Sequence, residues 1–227
     1  MNNIVAEKKF ISERIKDSAG LPIPYENLSQ SYLRAETYLS SFSVVQFSVQ
    51  KGQVAIPLVT ENLLNLNDQF VITHLAIGLR TVPADSPTDL QQLVSQVQTW
   101  EDPGVFIGTN SVNVGTVYNG MLNITIDRKE YLPAFPTRAF RRVGATQAKS
   151  FLTATGGATA TFAANGGANE YPNGLYGFYP MEPTLIDGRQ TININIDLKT
   201  AVSFDDASLR NYAVLEARGY LVVNSKD

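Results

Sequence analysis

Two stretches of strict apolar–polar alternation do most to limit what this chain can fold into. Leu122, Ile124 and Ile126 alternate with Asn123, Thr125 and Asp127; Ile192, Ile194, Ile196 and Leu198 alternate with Thr191, Asn193, Asn195 and Asp197. A period of two gives each stretch one buried and one polar face, the pattern of a half-buried strand. Asn119-Gly120 stands before the first and Asp187-Gly188 before the second, both strong turn pairs. Gln69 to Leu79 is apolar on both faces, which predicts a strand covered on both sides, the outer one by a partner. Ser41 to Gln50 reads as a further strand. Lys51-Gly52 follows as a turn, then Val54, Ile56 and Leu58, with Pro57 placing this second arm of a hairpin near an edge. Tyr212 to Val223 completes the set. Strands and turns at this spacing predict a mainly β fold, an antiparallel β-sandwich over residues 41–227.

One helix is expected inside this domain, from Pro87 to Trp100. Ser86 can cap it, and Leu90, Leu93, Val94 and Val97 form a stripe suited to covering a sheet or one end of it. Residues 1–40 differ in texture and are expected to form an N-terminal arm. Ile4, Ile11 and Ile15 fall near one helical face, and Leu28 to Leu39 reads as a second short helix or an extended stretch anchored by Tyr25, Tyr32 and Tyr38. The arm either docks on a neighbouring subunit or folds back on its own domain, and the sequence favours neither. Residues 153–174 are rich in Gly, Ala, Thr and Asn. They cannot build a core and are expected to form a long surface loop or a hairpin of small residues.

The inventory for chemistry is sparse. With one histidine and no cysteine in 227 residues, thiolate metal sites and disulfides are excluded. His74 lies within an apolar strand, where a core or interface role is expected. No phosphate loop or nucleophile-elbow motif occurs. Asp205-Asp206, or Asp197 with Glu182, come nearest to a cation site but lack the spacing of a calcium loop. The expectation is a non-enzyme with no cofactor. Charged residues make up 17%, and the net charge is -3. The acidic balance argues against nucleic acid as a partner of the folded body. Scarce charge suits close contact with another protein, because little must be desolvated. No apolar stretch approaches the length that spans a bilayer, and the first residues lack a secretory h-region, so synthesis in a cytoplasm is expected.

Two aromatic clusters stand out. Tyr131, Phe135 and Phe140 are interleaved with Arg138, Arg141 and Arg142, and arginine with aromatics is the composition of interface hot spots. The same residues could stack and neutralise a single-stranded nucleic acid, or the rings could enter the domain's own core. The second cluster, Tyr171, Tyr176, Phe178 and Tyr179, could form a sugar platform or anchor a loop to a neighbour.

Phe178-Tyr179-Pro180-Met181-Glu182-Pro183-Thr184-Leu185-Ile186-Asp187-Gly188-Arg189-Gln190-Thr191 runs into the second alternating strand. This segment, within a β domain that follows an arm, resembles the jelly-roll coat and virion structural proteins of bacterial viruses. The resemblance implies a capsid or capsid-associated subunit, located in the virion and self-assembling with copies of itself and other virion proteins, as a trimer or about another symmetry axis. The alternative is a carbohydrate- or receptor-binding β module. The expected contact residues are Ile4, Ile11, Ile15, Tyr131, Phe135, Arg138, Phe140, Arg141, Arg142, Tyr176 and Tyr179.

Overall fold

The computed structural model describes residues 2–17, 20–53, 57–82, 88–107, 110–143, 151–153, 161–163, 177–204 and 209–222. The strands are β1 (Leu28–Tyr38), β2 (Ser41–Phe47), β3 (Gln69–Val82), β4 (Met121–Ile126), β5 (Lys129–Pro136), β6 (Phe151–Thr153), β7 (Thr161–Ala163), β8 (Tyr179–Asp187), β9 (Ile192–Ser203) and β10 (Arg210–Val222). Two helices accompany them, α1 (Asn2–Arg14) and α2 (Asp89–Val94). One four-stranded sheet has the order β1-β10-β3-β8 and the other β2-β9-β4-β5, while β6 pairs only with β7. Every pairing is antiparallel.

The inner faces of the two large sheets share one core. Leu33, Phe70, Ile77 and Leu215 come from the first sheet, and Phe47, Leu122, Ile194 and Ile196 from the second. The two alternating stretches are neighbours, with Leu122 opposite Ile196 and Ile124 opposite Ile194. Each such side chain contributes about 1.5–3 kcal/mol on leaving water. A second, smaller cluster lies on the opposite side of the first sheet, where Ile11 and Ile23 meet Val71, Tyr220 and Val222.

Several expectations are corrected. The arm does not extend to residue 40: Leu28–Tyr38 is an integral strand, bonded along its whole length to β10. Alternate residues of β1 are polar because its outer face carries charge, and its inner face is small, so the pattern imitates a polar helix. The expected hairpin between Ser41 and Leu58 falls partly on residues outside those described. The partner of β2 is β9, and Lys51–Gln53 is a short 3-10 turn; Val54 and Ile56 lie outside the described residues. The inserted helix spans only six residues, Asp89–Val94. The first half of Tyr131–Arg142 belongs to β5, at the edge of the second sheet, and Thr137–Phe140 forms a 3-10 turn.

As expected, β3 is buried on both faces over most of its length, and the cover seen on its outer face comes from the chain itself. Val71 lies beneath α1. Val97 covers Gly78 so closely that a Cβ there would stand 2.3 Å from Val97 Cγ1. Arg80 is fully buried, donating to Glu36 Oε1 at 3.2 Å, Thr60 Oγ1 at 2.9 Å and the Gln92 carbonyl at 3.3 Å. Burial draws its pKa below the usual arginine range although Glu36 opposes the shift.

The Asp187-Gly188 turn joins β8 to β9 as a fixed corner. Burial alone would raise the Asp187 carboxyl. Bonds from the Arg189 and Gln69 side chains and the Arg189 backbone N–H outweigh it and hold the group well below the ordinary carboxylate range. Gly188 admits no side chain, because a Cβ would come within 2.0 Å of the Asn65 carbonyl oxygen.

Candidate interaction surfaces

The residues expected to make contacts divide into two groups. Ile11 and Phe140 are fully buried within the chain, and Ile15 packs beside Ile11. These three therefore serve the chain's own interior, and the helical part of the arm is folded back. Ile4, near the start of α1, is 41% exposed, and Phe10 is 40% exposed.

The Tyr131–Arg142 stretch separates in the same way. Tyr131 is exposed, with Lys129 Nζ 4.9 Å from its ring centroid. Phe135 bridges inward, its centroid 5.6 Å from Phe140 and 5.1 Å from Tyr179. Tyr179 is thus one wall of an internal aromatic trio, although its outer edge stays accessible. Arg138 is exposed. Arg141 grips Glu101 with Nε at 3.0 Å from Oε2 and Nη2 at 2.6 Å from Oε1. The same bonds draw the Glu101 carboxyl down and the Arg141 guanidinium up from their ordinary values. Arg142 is exposed and donates to the Arg141 carbonyl at 3.0 Å. Pro133, Pro136 and Lys129 lie along β5, and such residues discourage a foreign strand from pairing with an edge. Tyr171 and Tyr176, like most of residues 153–174, lie outside the described residues. Asp205 and Asp206 do too, while Asp197 accepts from the Lys199 backbone N–H and ammonium, each at 2.8 Å.

A surface that the sequence did not single out is the outer side of α2. Leu90, Leu93 and Val94 were expected to face a sheet, yet they are 69%, 61% and 65% exposed. The residue turned inward is Gln92. Its Oε1 accepts from the Val59 backbone N–H at 3.1 Å, and its carbonyl accepts from Arg80. A capping box between Thr88 and Gln91 fixes the first turn. Buried polar groups must be bonded. The partners of Gln92 thus set the rotation of the helix, and the leucine face is held toward solvent by them. Val59, whose N–H meets Gln92, is also exposed, at 47%.

The outer face of the first sheet is covered at both ends and open in the middle. At one end lies α1; at the other lie Thr60 and Gln92 above the Arg80–Glu36 pair. Between them runs a trough of about 700 Å³, bordered by Glu7 of α1 and by Phe178. His74, expected in a core or an interface, lies half-buried on its floor. Glu61, beside the buried pair, has its carboxyl pushed up by burial, against the lowering effect of the Glu36 and Leu58 backbone N–H groups.

No protein-family model, curated protein or solved structure matches the chain.

Proposed function

We propose that the chain is a virion structural protein, a jelly-roll subunit that assembles with copies of itself and with other virion proteins. The observation that carries this reading is the strand order. With the short β6–β7 hairpin set aside, eight long strands remain. In sequence order, the first, eighth, third and sixth make one sheet and the second, seventh, fourth and fifth the other. That order supports two Greek keys rolled into a double sheet, the architecture that capsid subunits share with lectin domains and cupins. The outward leucine face of α2 favours the assembling member of that set. A solitary monomer gains nothing from holding Leu90, Leu93 and Val94 in water, whereas a subunit buries them against a neighbour.

Light scattering across a concentration series, with negative-stain imaging, tests the reading. Multimers that grow with concentration are expected, and Leu93→Glu should shift them toward monomer. Because Leu93 is exposed, its replacement should change stability by no more than about 0.5 kcal/mol. A chain that stays monomeric throughout, or an unchanged assembly in Leu93→Glu, would overturn the proposal.

A further inference from the structure

We propose that the trough across the outer face of the first sheet binds a neutral saccharide. Its volume of about 700 Å³ lies within the range of small-molecule sites. The floor consists of three rungs of the β1–β10–β3 ladder. Gln30 faces Tyr220, Tyr32 faces Arg218 and through it His74, and Arg34 faces Glu216. Rungs two residues apart lie about 7 Å from one another, and adjacent strands about 4.8 Å. The side chains thus form a grid on the scale of a sugar ring.

This floor is built with a deliberate irregularity. Thr73 is an extra residue in β3 relative to β10, where Arg218 pairs with His74 and Gly219 with Ile72; the register also jumps opposite β8, where Met181 to Pro183 lie against Thr73 alone. Successive residues of a regular strand face opposite ways. Here Thr73 and His74 both border the trough, with Thr73 Oγ1 2.9 Å from His74 Nδ1. Bulges that re-aim side chains in this way occur preferentially next to functional sites.

The ligand class follows from the charges. Glu7 and Glu216 bring two negative groups, and Arg34 and Arg218 two positive ones. A balanced lining gives neither an anion nor a cation a net attraction. A wholly apolar ligand would strand four charges away from water. What the lining does supply is donors and acceptors of both kinds, and charged partners make the stronger hydrogen bonds. A sugar hydroxyl donates and accepts at once, so it can use both. Tyr32 is 52% exposed, and Phe178 carries the Arg218 guanidinium 3.9 Å from its ring centroid. The Tyr32 ring offers an apolar face for the C–H side of a pyranose, and Phe178 holds the Arg218 guanidinium in place. The site is independent of the assembly reading, since binding can be measured on monomer or multimer alike.

Saturation-transfer NMR on the full chain tests it, with maltose, cellobiose, lactose and N,N′-diacetylchitobiose as probes and sialyllactose as the anionic comparator. We expect transfer to at least one neutral disaccharide, with a dissociation constant of about 1 mM or tighter. Tyr32→Ala and Glu216→Gln should each weaken it by about tenfold or more, with the thermal midpoint confirming that both fold. A second readout needs no variant. The chain has a single histidine, so one imidazole resonance reports on the trough floor and should shift during the titration. Silence from all four neutral probes, a response confined to sialyllactose, binding indifferent to both substitutions, or an unmoved His74 resonance would each overturn the proposal.

Discussion

At the scale of single residues, stability depends on a few positions where no substitute fits. Gly219 is one. A Cβ there would stand 1.8 Å from the Val71 carbonyl oxygen, a contact with backbone that cannot swing aside. Gly219→Ala should therefore cost about 3 kcal/mol or more, or prevent folding, as read by urea denaturation. The Arg80–Glu36 pair is another, with both side chains wholly buried. Removing Glu36 strands the buried Arg80 charge, so Glu36→Gln alone should cost about 3–5 kcal/mol, whereas Arg80→Met should cost less because Glu36 keeps Arg34 at 2.8 Å. Arg80→Met combined with Glu36→Gln should cost less than the sum of the two single changes, which a double-mutant cycle would measure. Neither position was evident from sequence. Gly219 lies in a run of mixed residues, and the partners of Arg80 are distant along the chain. The turn at Asp127 and Arg128 was equally hidden. Both residues have positive φ, 48° and 68°, as a two-residue hairpin requires, yet neither is the glycine that usually marks such a turn.

Among the elements, legibility followed the simplicity of each environment. β4 and β9 have one wet and one dry face, and their alternation announced them. β3 was also recognisable, because a double-sided apolar run has few other places to go. β1 was not, since its outer face bears Arg34 and Glu36 and its inner face offers only Leu33 and Ala35 as fully apolar contacts. α2 shows the opposite failure. Its stripe was correctly seen and its direction wrongly assigned, because periodicity reveals a face but not what the face meets. The hydrogen bonds of Gln92 decided the matter. Removing α1 should be felt by the domain itself. Ile11 fills the cluster with Val71, Tyr220 and Val222, so Ile11→Ala should cost about 2–5 kcal/mol. Deleting residues 1–20 should likewise lower the thermal midpoint, since it uncovers that cluster; an unchanged midpoint would mean that α1 contributes nothing to the domain.

For the whole molecule, the balance of carboxylates sets the response to acid. Asp187 and Glu101 have folded-state pKa values below their ordinary ones. Their stabilisation is complete above the unfolded values, near about 4, and is lost as pH falls through the folded ones. Glu61 acts in reverse. Its raised pKa favours the protonated form in the folded state, so its cost grows as pH rises from the unfolded value through the folded one. Thermal unfolding against pH should thus show a decline below about pH 4, and Asp187→Asn should flatten it. The strand order has a different consequence, in time. β10 lies between β1 and β3, and Tyr38 pairs with Tyr212. On a ribosome working at about 5–20 residues per second, β1 waits roughly 10–35 s for its neighbour to be made. Throughout that wait, β1 and β3 have bare edges turned toward an empty slot. A prematurely terminated product never fills the slot, so it never acquires the finished outer surface by which a full-length chain would be recognised.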